Sequence, residues 1–340
     1  MIPKKVILDC DPGSDDAIAM MLAMKSDAID LIGVTTVNGN RIVPKTTENA
    51  LRVVQFMKAS VPVYRGCEEP IICNEIPGRK PGLPRVTLSD CHGDFLPLPE
   101  AEIRTEKEHA VFYLVKTLME SEGDIYVAAV GPLTNLAMAL RIEPKIAGKI
   151  KQLVIMGGGH CGANASPAAE FNFYADPEAA KIVMDSAIPK VILPLDATWR
   201  ACLSEEKCKE LAQLGTPEAK VAAALVQKRI DNLKVNDVSE HNYALRHQAG
   251  TVAGAMLYRY DNHMAPIHDA LAIAYLINEN VVTELADANV DIDIAGGLCD
   301  GRMVADFHNT KKSKAPVTAK VALNSDADLF TDMLFAALGK

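Results

Sequence analysis

Four aspartates crowd one bend of this chain. Asp9, Asp11, Asp15 and Asp16 fall within Asp9-Cys10-Asp11-Pro12-Gly13-Ser14-Asp15-Asp16, directly after the apolar run Val6-Ile7-Leu8 and directly before Ala17-Ile18-Ala19-Met20-Met21-Leu22. Carboxylates held this close repel one another, and a cation is the simplest compensation; an all-oxygen set suits a hard ion such as Ca²⁺ or Mg²⁺. The alternation of a strand sends Asp9 and Asp11 to one side, and the turn brings Asp15 and Asp16 back towards them. Pro12-Gly13 is a turn dipeptide, because proline presets its own φ and glycine accepts positive φ without steric cost. Ser14 or Asp15 is then placed to cap the following helix. An acidic helix start accounts for Asp15 and Asp16 one at a time. It does not account for four carboxylates at a strand's C-terminal end, where open α/β sheets bind ligands.

The rest of the chain alternates strands and helices in a way that repeats this placement. Ile29–Thr36 reads as a buried strand, and the turn Val37-Asn38-Gly39-Asn40 puts Asn40 at its C-terminal end. A helix from Pro44 to Ala59 and a short strand Val61–Tyr64 follow, and regularity resumes with a helix near Glu106–Glu120. The strand Asp124–Val130 stops at Gly131-Pro132, leaving the Val130 carbonyl at a strand end. Strand Lys151–Met156 runs into Gly157-Gly158-Gly159, which lacks the spacing of a dinucleotide fingerprint and does not open a helix directly. The loop beyond it carries Asn164, Glu170 and Asn172, short polar groups able to satisfy several sugar hydroxyls at once. Later elements are a helix from about Asp176, a strand Lys190–Leu195, helices near Ser204–Leu214, Pro217–Leu233 and Gln248–Tyr260, and the apolar helix Ala270–Ile277. Strand-like segments around Val290–Ile294, Met303–Phe307 and Val317–Leu323, then a helix Asp326–Leu338, complete the chain. This order predicts an α/β fold: a mostly parallel, doubly wound (Rossmann-like) open sheet with antiparallel additions at an edge. No linker or composition break divides residues 1–340, so one domain is expected, with 66–104 as an irregular segment rich in Pro and Gly.

Composition narrows the function. A net charge of −9 and the lack of a basic, aromatic-laced stripe argue against binding nucleic acid as a polymer. The apolar runs are too short and interrupted to span a membrane. The start Met1-Ile2-Pro3-Lys4-Lys5 leads straight into the first strand, without the pattern of a secretory signal, so a cytoplasmic protein is expected. The cysteines form no Cys-x-x-Cys pair, which favours reduced thiols over a disulfide framework or zinc site.

Asp-x-Asp-Pro-Gly-x-Asp-Asp-Ala near the N-terminus resembles the signature of the inosine/uridine-preferring nucleoside hydrolase family. The likeness continues through Met156-Gly157-Gly158-Gly159, Asn164-Ala165-Ser166-Pro167, Ala169-Glu170-Phe171-Asn172, Asp176-Pro177-Glu178-Ala179-Ala180 and His268-Asp269, covering nearly the whole chain in order. It implies a hydrolase that splits the N-glycosidic bond of ribonucleosides into base and ribose. It further implies that Asp11, Asp16, Asp269 and the Val130 carbonyl hold Ca²⁺, whose remaining positions take the ribose diol and a water. Asp15 and Asn172 would bind the diol, Asn164 and Glu170 the 5′-hydroxyl, and Met156 would pack against the sugar, with Asn40 at a neighbouring strand end. Asp11 would be the general base acting on water, and His268 would protonate the departing base. His92-Gly93-Asp94 matches a His-Gly-acidic motif of the family, giving His92 a base-contacting role, although Phe95-Leu96-Pro97 replace the glycine that commonly follows. Trp199 stands where the pyrimidine-active members often carry histidine. A homodimer or homotetramer is also implied.

Two other readings compete. A haloacid-dehalogenase-like phosphatase also ends its first strand with Asp-x-Asp and binds Mg²⁺, but the Pro-Gly-x-Asp-Asp sequel and the hydroxyl-binding loop argue against it. A nucleoside-binding protein with a dead site would not need the metal and base aspartates intact.

Overall fold

A computed structural model describes residues 2–72, 75–76, 93–235, 263–307 and 316–340. The expected helix at 248–260, His92 and most of the irregular segment's middle lie outside the described residues.

A nine-stranded sheet runs through the molecule. Its strands are β1 (Lys4–Cys10), β2 (Ile29–Thr36), β3 (Val63–Arg65), β4 (Ile125–Ala129), β5 (Ile150–Met156), β6 (Lys190–Leu193), β9 (Val282–Ile292), β10 (Met303–Asp306) and β11 (Ala319–Ser325), in the spatial order β10-β9-β11-β6-β5-β4-β1-β2-β3. From β3 to β11 every neighbouring pair is parallel, while β9 pairs antiparallel with β11 and with β10. The expected parallel sheet with antiparallel edge additions is therefore the observed one. A two-stranded sheet of β7 (Cys202–Ser204) and β8 (Met264–Pro266), which the sequence pattern did not announce, is separate from it.

The helices are α1 (Ser14–Lys25), α2 (Val43–Phe56), α3 (Ala110–Glu120), α4 (Thr134–Ile142), α5 (Phe171–Ala175), α6 (Pro177–Met184), α7 (Leu195–Thr198), α8 (Glu205–Gln213), α9 (Pro217–Val235), α10 (His268–Ile277) and α11 (Ala327–Leu338). They cover both faces of the sheet. Alternate residues of β1 feed the two cores: Val6, Leu8 and Cys10 join α1, α10 and α11, whereas Ile7 joins α3, α4 and α6.

Two helices are buried nearly all round. Residues Ser14 to Ala23 of α1 and His268 to Leu276 of α10 are buried, which is why both read as apolar on every face rather than along one stripe. They pack against each other, and α9 packs against α1. Their N-termini meet at the carboxyl ends of the strands. Chain order reverses between β1 and β4, since the chain runs outward through β2 and β3 before returning to β4. Open α/β sheets bind ligands at such a switch point, and the acidic bend after β1 lies there.

Candidate active site

The bend is held by its own side chains. Asp16 accepts from the backbone N–H of Gly13 at 2.8 Å and of Asp11 at 3.2 Å, so it caps the helix it belongs to. Capping thus falls to Asp16 rather than to Ser14 or Asp15, because the turn tightens enough for a third-position carboxylate to fold back. Asn49 of α2 donates to the Pro12 carbonyl and accepts from the Leu96 N–H, tying the bend to the segment after residue 93.

Asp11 is fixed from two sides. Its Oδ2 accepts from the Asn40 N–H at 2.5 Å, and the Asn40 side chain donates to the Asp11 carbonyl at 3.1 Å and to Asp16 Oδ2 at 3.3 Å. Gly39 and Gly131 flank the carboxylate so closely that a Cβ on Gly39 would lie 2.0 Å from Oδ2 and one on Gly131 2.7 Å from Oδ1. The two glycines are a demand of close approach, and both stand where strands β2 and β4 have just ended.

Asp15, Asp16 and Asp269 each offer an oxygen within 4.8 Å of the others, all three buried. An acidic triad able to hold a metal ion is therefore present among the described residues. Burial, and after it the charge of Asp16, pushes the Asp11 carboxyl well above the usual carboxylate range. Burial and the charges of Asp15, Asp16 and Asp11 do the same to Asp269. Like charges massed out of water cost free energy unless a cation joins them, and the all-oxygen donors fit a hard divalent ion. The two helix N-termini offset part of that charge.

Asp9 departs from the expected grouping. Strand β1 ends at Cys10, so the turn redirects Asp11 while Asp9 stays in the strand and points, with Ile7, towards α4. There Asp9 Oδ1 accepts from Thr35 Oγ1 at 2.6 Å and Asn135 Nδ2 at 2.7 Å. Burial raises its pKa to about 6 against the lowering of those two bonds.

The loop after β5 places the other polar groups. Glu170 accepts from the N–H groups of Asn172, Gly158 and Phe173 at 2.9, 2.8 and 3.3 Å, capping α5 and pinning the glycine turn. Burial pushes its carboxyl up to about 7 despite those bonds. Asn172 Nδ2 donates to the carbonyls of Val130 at 2.8 Å and Met156 at 3.0 Å, which joins the ends of β4 and β5. Asn164 Oδ1 accepts from the Phe171 N–H. His268 opens α10 with Nδ1 2.8 Å from Thr198 Oγ1. Trp199 is buried, with its ring edge against Gly162, so it packs under the loop.

Residue spacing did not announce Arg229. Its Nη1 lies 2.9 Å from Asp15 Oδ2, reaching in from α9. Nor did spacing announce Thr198 as the partner of His268, or the glycine cradle, although glycines directly after two strand ends were a readable sign of close approach.

The model of the inosine-uridine preferring nucleoside hydrolase family matches residues 6–332. The chain belongs to that family. It is a ribonucleoside hydrolase. The pyrimidine-specific ribonucleoside hydrolase RihB of Escherichia coli O157:H7 is 36% identical over 337 residues, covering 97% of this chain and 95% of that one. Among solved structures, a plant nucleoside hydrolase, PpNRh1, superposes with a TM-score of 0.82 at 26% identity, covering 99% of both chains. The purine-preferring ribonucleoside hydrolase from Gardnerella vaginalis superposes at 0.83 with 25% identity, covering 99% of this chain and 98% of that one. No helix among the described residues is long and apolar enough to cross a membrane.

Proposed function

We propose that this nucleoside hydrolase works with Ca²⁺ held by Asp11, Asp16, Asp269 and the Val130 carbonyl, and that Asp11 is the general base. The observation that carries the reading is the buried acid cluster at the β1/β4 switch point, with Asn40, Gly39 and Gly131 fixing the Asp11 carboxylate beside it. Bound there, the cation would lower the pKa of water and anchor the sugar's diol. Asp11 takes the proton from the attacking water.

Asp15 and the Asn172 Oδ1 accept from the ribose diol, Asn164 and Glu170 bind the 5′-hydroxyl, and Met156 packs against the sugar. The massed carboxylates favour an oxocarbenium-like transition state over the neutral substrate. His268 hands a proton to the leaving base, and His92 contacts that base. Pyrimidine ribonucleosides are the first substrates to try, supported by the name of the relative at 36% identity. The enzyme acts in the cytoplasm as a homodimer or homotetramer.

The test is a chromatographic screen of common nucleosides, monitored for free base and free ribose, with and without Ca²⁺. Release of ribose from uridine, cytidine or inosine that depends on the ion is the expected result. Phosphate release from nucleotides, or binding without turnover, would overturn it.

A further inference from the structure

Arg229 is the one cation of the described residues seen in an ion pair with the acid cluster. Its side chain is 13% exposed and that of Asp15 8%, so the pair stands largely out of water, where solvent and salt screen it far less than a surface pair. Among the described residues of the acid cluster, the ion pair of Arg229 is with Asp15 and not with Asp16 or Asp269.

Asp15, Asp16 and Asp269 have equal standing as ligands by distance alone. The guanidinium removes that equivalence. A carboxylate already facing a fixed positive charge gives a metal ion less attraction and sets two cations against each other. The same carboxylate keeps acceptor capacity for a hydroxyl, since two oxygens carry about four lone-pair sites. We infer that Arg229 is a positioning residue which withdraws Asp15 from the cation's ligand set and holds it for the sugar's 2′-hydroxyl. The inference rests on the sugar-site reading given above.

The experiment measures two things on the full chain: Ca²⁺ affinity by calorimetry on metal-stripped protein, and the ratio of kcat/KM for a ribonucleoside to that for its 2′-deoxy analogue. Arg229→Gln frees Asp15, so Ca²⁺ binds roughly 10-fold tighter while the ribose preference falls roughly 10-fold, chiefly through KM. In an Asp15→Asn background the same substitution leaves the ribose preference where Asp15→Asn alone put it and tightens Ca²⁺ far less. Arg229→Lys keeps a charge without the planar fork, so it serves as the folded variant should Arg229→Gln fail to fold, and it gives the same two changes at smaller size.

Asp15→Asn separates the two levels of failure. If it collapses the ribose preference and every folded substitution at 229 leaves both quantities unchanged, or moves only one of them, the role of Arg229 is overturned alone. If Asp15→Asn leaves the ribose preference intact, the sugar-site reading fails and the inference with it.

Discussion

Thr198 Oγ1 stands 2.8 Å from His268 Nδ1, with both residues buried. The contact fixes the imidazole at the start of α10, one residue before Asp269, and in the proposed mechanism Nε2 is the nitrogen that serves the leaving base. A hydroxyl proton given to Nδ1 keeps the ring's own proton on Nε2, the form that can donate.

His268→Ala is therefore expected to slow inosine and uridine hydrolysis by about two orders of magnitude while sparing a nitrophenyl riboside, whose leaving group departs without protonation. Thr198→Val should show the same selectivity at roughly 10-fold, with Thr198→Ser restoring most of it. Steady-state kinetics on both substrate types checks this. Equal losses on both would assign His268 to holding the metal or sugar instead.

Asp11→Asn and Asp269→Ala each should leave a folded protein with activity reduced by about three orders of magnitude or more, because in the proposed mechanism the first removes the base and both weaken ion binding. A calcium-strong chelator should likewise abolish turnover, with recovery on adding Ca²⁺. Folded variants near wild-type rate, or indifference after verified metal removal, would count against the assignment.

The sequence disclosed the fold through the regular alternation of strands and helices, and the site through motifs that sit at strand ends. The apolar runs around Ile7, Val127 and Ile155 could form only buried parallel strands, so the sheet was readable. Side-chain direction at the bend was not. Whether Asp9 shares a side with Asp11 depends on where β1 stops, and a one-residue difference in that point reverses the answer. Long-range partners were hidden for another reason: Arg229 meets Asp15, and Thr198 meets His268, only once separate helices have packed, and no local spacing encodes that.

Asp9 gives a test of pH-dependent stability. Its pKa is raised to about 6 in the folded protein by burial, against an ordinary value of 3.8. A raised acid makes its full contribution below the unfolded pKa and loses it as pH rises through the folded one. The contribution of Asp9 to stability should therefore fall by about 2–3 kcal/mol between about pH 4 and pH 6 and stay level above. Denaturant melts of wild type and Asp9→Asn at pH 4.5 and 7.5 isolate it, since the amide cannot titrate. The stability difference between the two proteins should move in favour of Asp9→Asn as pH rises. A difference that is constant with pH, or that moves the other way, would show that Asp9 does not carry this load.

Gly39→Ala tests whether the glycine cradle serves chemistry rather than folding. The added methyl would lie 2.0 Å from Asp11 Oδ2, so something must move. It meets the Asp11 carboxylate, the end of a rotatable side chain, and Pro132 Cδ at 2.9 Å, so the carboxylate must swing away, breaking its bond from the Asn40 N–H, and the proline ring must give slightly. Stability should then fall by about 2–3 kcal/mol, since a bond to a buried carboxylate is worth more than a neutral one. With Asp11 as the proposed base, a displacement of about 1 Å should lower kcat about 100-fold, with KM little changed. Gly131→Ala, at 2.7 Å from Oδ1 but also 3.1 Å from the Asp11 N and a Val37 methyl, presses on backbone and core as well and should cost more stability for a similar loss of rate. Thermal melts beside steady-state kinetics separate the two quantities. A Gly39→Ala protein that keeps its rate would mean that Asp11 tolerates displacement and does not act as the base.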